Sequence, residues 1–168
     1  VEDSYEKGRT YLAATVGSRT PQALQDAYLL RGAEMVQYFR EHTHLQWRYV
    51  KGYSDYYPDL PGGESRGRTI EAELFDLSRL GEDLAKMGRS IMPTQGMVLT
   101  AAEFHKINMM RRTWAGKCAL LKVGCRFLRD KISTYTPASL GEALIGRLFL
   151  SYKELGGELW LNAPFQSI

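Results

Sequence analysis

Apolar residues recur at helical spacing along the first part of the chain. The stretch Glu2–Val16 carries them at spacings that predict a first helix. Thr20 and Pro21 then provide an N-cap hydroxyl and a proline at the first helical position, which predicts that a second helix starts there. After Gly32 a further apolar stripe ends near Glu41 and predicts a third helix. The opening of the chain therefore predicts three successive helices.

The pattern changes after these helices. Leu45–Val50 alternates and is rich in aromatic residues, which predicts a strand. Residues 51–68 are punctuated by glycine and proline and predict a long ordered loop. Arg68–Phe75 alternates weakly and predicts a short strand, after which Asp76 is placed to cap a helical turn.

Four more helical or strand-like segments follow. Thr100 and Glu103 form the spacing of a capping box and predict the start of a helix. Ala115–Leu128 is apolar enough to predict a buried helix, and Ser139–Leu155 carries an apolar face at helical spacing. The final segment, Glu158–Ala163, alternates and predicts a strand.

These elements predict a mainly α-helical fold with a few short β-strands, of the α+β class, in one domain over residues 1–168. Its predicted parts are a helical region (1–50), a tyrosine-rich loop (51–76), a second helical region (77–137) and a helix followed by a strand (138–168).

Composition and charge narrow the class of protein. The 168 residues are 44% hydrophobic and 24% charged, which excludes an intrinsically disordered or disulfide-stapled chain. Basic residues exceed acidic ones by 22 − 19 = +3 and are dispersed, so the sequence gives no sign of nucleic-acid binding. Cys118 and Cys125 are the only cysteines, and no signal peptide or hydrophobic run of membrane length is evident. These features predict a reducing, cytoplasmic environment and no membrane span.

Familiar cofactor and metal motifs are missing from the sequence. No two glycines are spaced as a dinucleotide fingerprint requires, and the run 62–69 imitates a phosphate-binding loop only with Arg68 in place of the lysine. His42 and His44 have no acidic or cysteine partner nearby in sequence, and the two cysteines do not match zinc spacings. We therefore expect no metal site, solvated histidines and buried thiols.

Four of the ten tyrosines are concentrated at the start of the predicted loop, at Tyr49, Tyr53, Tyr56 and Tyr57. Aromatic rings in a loop bounded by proline and glycine offer flat apolar area with a hydroxyl at the edge. This arrangement suits a planar, hydrophobic ligand that carries an oxygen atom. Ordinary anchoring of the loop by its own aromatic rings is the alternative interpretation.

The same loop carries a family resemblance. The matching residues are Gly52-Tyr53-Ser54-Asp55-Tyr56-Tyr57-Pro58, Pro61-Gly62-Gly63, Gly67-Arg68-Thr69-Ile70-Glu71, Phe75-Asp76 and Leu80-Gly81. They resemble the FAD-dependent 3-ketosteroid 1-dehydrogenases of the fumarate reductase and succinate dehydrogenase flavoprotein superfamily. Tyr11-Leu12 with Val16-Gly17 upstream, and Gly141 with Ala143-Leu144 downstream, extend the resemblance over nearly the whole chain.

The resemblance implies that the chain is an internal part of a larger flavoprotein, the helical portion of its FAD-binding domain. The N-terminal Rossmann unit and the glycine-rich segment near the flavin ring, which hold FAD in such proteins, are not found in this sequence. It follows that FAD is the cofactor of the full-length protein, that this part alone is inactive, and that its uncovered helices can self-associate.

The implied reaction is 1,2-desaturation of a 3-ketosteroid, in which a base removes the C2 proton and hydride passes from C1 to FAD. In the family, a tyrosine of this loop supports a base tyrosine that comes from the later capping domain. The motif places that supporting role on Tyr56, with Tyr57 as the one-residue alternative. Tyr53 would face the steroid as an apolar wall, and Phe165 would lie where the superfamily presents main-chain groups to the adenine.

Two other functions stay open on the sequence alone. One is a related flavoprotein that acts at another steroid position or on a non-steroid enone. The other is a helical binding module without redox chemistry. The resemblance identifies neither the preferred steroid-like substrate nor the electron acceptor.

Overall fold

The computed structural model describes residues 3–88 and 96–164. The helices are α1 (Tyr5–Thr15), α2 (Gln22–His42), α3 (Ala101–Asn108), α4 (Trp114–Lys131) and α5 (Leu140–Glu154), with short 3-10 segments at Gly17–Arg19 and Leu77–Lys86. The strands are β1 (Trp47–Tyr49), β2 (Ile70–Ala72), β3 (Phe75–Asp76) and β4 (Pro137–Ala138). The predicted class, mainly α with a few short strands, is confirmed.

The first two helices pack against each other at the start of the chain, where the Tyr5 hydroxyl donates to Asp26 at 2.8 Å. The Ser4 side chain accepts the Lys7 N–H at 3.1 Å and caps α1. α2 continues through Gly32 without a break, so the predicted second and third helices are one helix. A glycine inside a helix costs only about 1 kcal/mol, which the twenty-one residues of α2 tolerate.

Two small antiparallel ladders follow. β1 pairs with β2 in a register that sets Trp47 opposite Ala72, and β3 pairs with β4 so that Phe75 faces Ala138. The strand predicted over Arg68–Phe75 is therefore divided between two separate ladders. The alternation in sequence predicted the extended backbone correctly. It did not predict that β2 pairs with β1 whereas β3 pairs with β4.

The core lies between α5 and these ladders. Leu45, Phe75 and Leu77 are almost fully buried there, with Ala138 and Ala143 filling the smaller gaps. α5 approaches closely because Gly146 has no side chain: a Cβ at Gly146 would lie 2.6 Å from the Leu77 side chain and 3.1 Å from Phe75.

Arg147 of α5 is buried in this core. Its guanidinium donates to the carbonyl oxygens of His44 at 2.7 Å, Leu74 at 2.8 Å and Glu73 at 3.3 Å. It also lies 5.0 Å from the centre of the Phe75 ring. Arg147 therefore ties α5 to the chain before β1 and to the turn after β2.

α3 and α4 form a second packed pair. Thr100 and Glu103 make the predicted capping box at the start of α3, with both hydrogen bonds at 3.2 Å. Arg126 of α4 donates to the Glu103 carboxylate at 3.0 and 2.8 Å and to the Val98 carbonyl. This ion pair is shielded from solvent and joins the two helices.

The prediction that Ala115–Leu128 is a buried helix is wrong. α4 buries only its narrow face of Gly116, Ala119 and Val123 against α3, and most of its other apolar side chains are exposed. Cys118 and Cys125 are also exposed free thiols, not buried ones. Periodicity showed the helix correctly, but sequence alone does not show whether a second apolar face has a partner.

The predicted strand Glu158–Ala163 is also wrong. These residues have no strand pairing in the structure, and Glu158–Ala163 is exposed. The segment turns back on α5 instead: the Tyr152 hydroxyl donates to the Glu158 carbonyl at 2.7 Å. Alternation alone cannot form a ladder when no neighbouring strand supplies the hydrogen bonds.

Replacing Arg126 with methionine would remove both guanidinium hydrogen bonds from the shielded Glu103 carboxylate and leave it only the Lys122 ammonium at 3.8 Å. We expect Arg126→Met to lower the free energy of unfolding by about 2 kcal/mol, measured by urea denaturation. Arg112→Met is the matched control, because Arg112 is exposed on the same region of the protein. A change of equal size in both variants would contradict the importance of the pair.

The same pair predicts a pH dependence. Burial raises the pKa of Glu103, but hydrogen bonds from Arg126 and from the Thr100 backbone outweigh burial, so the pKa lies below its ordinary value. A carboxyl with a lower pKa in the folded state stabilises it above the ordinary pKa, and this stabilisation is lost as the pH falls through the folded pKa. Acid titration of unfolding should therefore show a steeper loss of stability in the natural protein than in Arg126→Met. Parallel acid limbs would contradict this prediction.

Candidate functional site

The predicted tyrosine-rich loop, 51–76, includes β2 and β3, and the loop proper, residues 50–69, is the tip of the hairpin formed by β1 and β2. Its base is closed by a hydrogen bond from the Val50 N–H to the Thr69 carbonyl at 3.0 Å. Further out, Asp55 and Glu64 bond twice, since the Asp55 N–H donates to the Glu64 carbonyl at 3.0 Å and the Asp55 carboxylate accepts the Glu64 N–H at 2.9 Å. The loop is thus cross-linked along its length by its own backbone.

α1 holds the loop from one side. The Lys7 ammonium binds the Glu64 carboxylate, and the Tyr11 hydroxyl accepts the Tyr57 N–H at 3.2 Å. Gly62 lies so close to the helix that a Cβ would be 2.4 Å from the Lys7 carbonyl oxygen. The loop therefore rests directly on α1.

Arg68 connects these contacts. It donates to the Gly62 carbonyl at 2.9 Å and forms ion pairs with Asp3 at 3.1 Å and Asp55 at 3.6 Å. Its guanidinium also lies 5.4 Å from the centre of the Tyr11 ring. Because Arg68 is largely shielded from solvent, these contacts are screened less than surface ion pairs.

The four clustered tyrosines have different surroundings. Tyr49 anchors the loop, because its hydroxyl donates to the carbonyls of Arg66 at 2.9 Å and Gly67 at 3.1 Å. Tyr53 is half-buried, whereas the Tyr56 and Tyr57 side chains are 85% and 61% exposed. Only Tyr49 fits the interpretation that the cluster simply anchors the loop.

The phenol group of Tyr56 affects the ionisation of Tyr53, and we call these two residues the phenol pair. A hydrogen bond with the Tyr56 side chain raises the pKa of Tyr53 above its ordinary value, so Tyr53 keeps its proton at neutral pH. The pair leaves the outer side of Tyr56 open to solvent. Such a pair can bind an oxygen atom of a ligand, or support the anion of another phenol by hydrogen bonding.

The predicted site residues have different surroundings in the structure. It brings Tyr53 and Tyr56 together, while Tyr57 contacts α1 through its backbone N–H. Phe165, predicted to lie near the adenine, falls outside the described residues.

Sequence reasoning missed the residues that support the tyrosines. Lys7, Tyr11 and Glu64 were not assigned a role, and Arg68 was considered only as a substitute for a phosphate-binding lysine. Asp55 and Arg68 do fall within the motif that carried the family resemblance. Their pairing links residues thirteen positions apart through the folded loop, a contact that spacing alone does not predict.

A family model described as "FAD binding domain" matches residues 1–168, the whole chain. The chain belongs to this FAD-binding domain family. The resemblance noted from the tyrosine-rich loop is therefore confirmed at the level of the family, and FAD is the cofactor of that family.

Known relatives agree with this assignment. A 3-oxosteroid 1-dehydrogenase from Mycolicibacterium smegmatis is 36% identical over 100% of this chain and 30% of its own length. The crystal structure of a 3-ketosteroid delta1-dehydrogenase from Sterolibacterium denitrificans in complex with 1,4-androstadiene-3,17-dione is similar with a TM-score of 0.84 and 30% identity. That match covers 99% of this chain and 31% of that chain. A 4-oxocyclohexanecarboxylate 2-dehydrogenase from Sinomonas cyclohexanicum is 34% identical over 53% of this chain and 16% of its own length. The whole of this chain matches the Mycolicibacterium smegmatis enzyme, but the chain spans only about 30% of that enzyme's length.

The described residues do not fit the phosphates of FAD. In the run 62–69, a Cβ at Gly67 would lie 1.4 Å from the Tyr53 carbonyl oxygen, so this glycine makes room for the loop's own backbone. Arg68 is already neutralised by Asp3 and Asp55. Within residues 3–88 and 96–164, no glycine-rich turn preceding a helix offers free backbone N–H groups to a pyrophosphate. In the same described ranges there is no group of three potential metal-binding side chains, and no helix is long and apolar enough to cross a membrane.

Two glycines of the loop provide a matched test of its geometry. Gly67 and Gly52 both have positive φ, 77° and 82°, but only Gly67 lies against backbone, while nothing is within 4 Å of a Cβ at Gly52. Gly52→Ala should cost about 1–2 kcal/mol from backbone strain alone. Gly67→Ala should cost more, because the loop cannot close past Tyr53 without moving. Urea denaturation of both variants measures this difference, and equal losses would contradict the observed packing.

Proposed function

We propose that the protein is a flavin-dependent 3-ketosteroid 1,2-dehydrogenase that desaturates ring A of a steroid-like substrate. The observation that carries this proposal is the exposed Tyr56 side chain, displayed on a loop that α1 and Arg68 hold in place. The relatives over the whole chain act as 3-oxosteroid 1-dehydrogenases by name, and one of them is bound to a steroid. FAD would serve as the oxidant of this reaction.

We assign Tyr56 a supporting role in proton removal. The protons next to a ketone are weakly acidic, and a tyrosine with a pKa near 10 is a poor base at neutral pH unless its anion is stabilised. A neutral phenol that donates a hydrogen bond to that anion provides the stabilisation. Because the Tyr56 side chain is largely exposed and hydrogen bonding with it raises the pKa of Tyr53, Tyr56 can accept from Tyr53 and donate to a base tyrosine supplied by another part of the protein.

Tyr53 would contribute more than the apolar wall that the sequence suggested. Its half-buried ring offers flat apolar area to a steroid ring, while its hydroxyl orients Tyr56. Tyr57 is the weaker candidate for the supporting role, because the described contact of Tyr57 is through its backbone N–H to Tyr11.

A second function is favoured by one specific observation. The relative that acts on 4-oxocyclohexanecarboxylate matches 53% of this chain, which supports a smaller cyclic ketone as substrate. Both functions share desaturation next to a ketone, so the same tyrosine pair serves either. In a non-catalytic binding module, the tyrosine pair would have no catalytic role.

We place the protein in the cytoplasm. The exposed free thiols of Cys118 and Cys125 suit a reducing compartment.

The test compares Tyr56→Phe with Tyr57→Phe in the complete protein, using 3-ketosteroids and an artificial electron acceptor. Tyr56→Phe should lower kcat about 10- to 100-fold with little loss of FAD, because the hydroxyl assists proton removal and does not hold the cofactor. Tyr57→Phe should stay within about twofold of the natural enzyme.

Three outcomes would contradict the proposal. An unchanged rate in Tyr56→Phe would reject its role, and activity on 4-oxocyclohexanecarboxylate but on no 3-ketosteroid would favour the second function. Absence of both flavin and desaturation in the complete protein would favour a binding module.

A further inference from the structure

Arg66 combines a fixed backbone with an exposed side chain in the tyrosine-rich loop. Its carbonyl accepts the Gly52 N–H at 3.2 Å and the Tyr49 hydroxyl at 2.9 Å, and its own N–H donates to the Glu64 carboxylate at 2.9 Å. The Arg66 side chain, by contrast, is exposed to solvent. Three hydrogen bonds therefore set the position of the residue and leave its guanidinium open to a ligand.

The carboxylates of the loop have other partners or lie elsewhere. Asp55 pairs with Arg68 at 3.6 Å, and Glu64 pairs with Lys7 of α1. Asp59 lies in the turn at the far tip of the loop. The acidic groups of the loop are therefore neutralised beneath it or displayed at its tip, away from its base.

Lys51 adds a second positive charge at the base of the loop. It directly precedes Gly52, whose N–H binds the Arg66 carbonyl, and the Lys51 side chain is also exposed. In the part of the chain that the structure describes, neither Lys51 nor Arg66 forms an ion pair with a carboxylate. Two cations without an acidic partner thus flank the same backbone hydrogen bond.

These cations lie beside Tyr53 of the candidate site. A Cβ at Gly67, the residue after Arg66, would lie 1.4 Å from the Tyr53 carbonyl oxygen, so the two sides of the loop touch there. Tyr56 is three residues further along, and three residues of chain span at most about 11 Å. A ligand with fused rings that lies over Tyr53 can therefore meet Tyr56 at one end and Arg66 at the other.

We propose that Arg66 binds a carboxylate carried by the ketone substrate, and that the site therefore prefers keto acids to neutral ketones. A guanidinium matches a carboxylate with two parallel N–H···O hydrogen bonds, whereas the Lys51 ammonium adds attraction without that fixed geometry. Tyr56 would then meet the ketone end of the same molecule. This inference rests on the proposed function, because it names the substrate class of the same site.

The test compares two substrates of the complete protein, 3-ketocholenic acid, whose side chain ends in a carboxylate, and its methyl ester. We expect the natural enzyme to have at least about tenfold higher kcat/KM for the acid, and high salt to reduce this preference because it screens exposed charges. Arg66→Gln should lower the acid-to-ester ratio of kcat/KM about tenfold, mainly by raising KM for the acid. Arg66→Lys should keep part of the preference, because lysine retains the charge but not the planar pair of donors.

Arg112→Gln is the matched control for the loss of a positive charge. Arg112 is also exposed, but it lies between α3 and α4 and not in the loop. Its variant should keep the acid-to-ester ratio within about twofold of the natural enzyme. Circular dichroism of all three variants verifies that each is folded.

Several results would overturn the inference. They are equal kcat/KM for the acid and the ester in the natural enzyme, an unchanged ratio in Arg66→Gln, or an equal loss in Arg112→Gln. If neither compound is desaturated, the proposed function fails, and calorimetric titration of both compounds then decides the inference separately. Tighter binding of the acid that Arg66→Gln abolishes would support it, and equal binding of acid and ester would overturn it.

Discussion

The position of the tyrosine-rich loop depends on a buried arginine whose guanidinium donates to backbone carbonyls. Arg147 satisfies its guanidinium with three backbone carbonyls, those of His44, Glu73 and Leu74, on the two sides of the β1–β2 hairpin. Burial lowers the pKa of Arg147, and the carbonyl groups provide the polar surroundings that make its charge tolerable there. A hydrophobic residue at this position would leave those carbonyls without a donor. The arginine therefore fixes the hairpin stem on α5.

Close backbone contacts fix the position of the loop relative to this stem. Gly62 rests on α1, Gly67 lies against the Tyr53 carbonyl, and Arg68 joins both regions through its ion pairs. Each of these contacts requires either a missing side chain or a shielded charge pair. The result is that Tyr56 is exposed while the backbone beneath it is fixed. An exposed side chain on a fixed backbone suits a residue that must meet a group from elsewhere without first ordering itself.

The sequence predicted those features that depend on local chemistry. The capping box of Thr100 and Glu103, the presence of the first helix and the loop punctuated by glycine and proline all follow from neighbouring residues. The continuity of α2 through Gly32, the missing final strand and the exposure of α4 depend on which partners a segment finds in three dimensions. The tyrosine cluster drew attention to the candidate site, but its division into an anchor and a phenol pair required the folded loop.

Hydrogen–deuterium exchange of the loop amides in the ligand-free complete protein tests the central claim most directly, namely that the site is formed before any ligand binds. The N–H groups of Asp55, Tyr57, Gly63 and Glu64 all have protein acceptors, at 3.0, 3.2, 2.8 and 2.9 Å. We predict that they exchange at least about 100-fold more slowly than amides of an unstructured peptide. Exchange at unstructured rates that slows only when a 3-ketosteroid is added would contradict the account, because the ligand would then be ordering the loop.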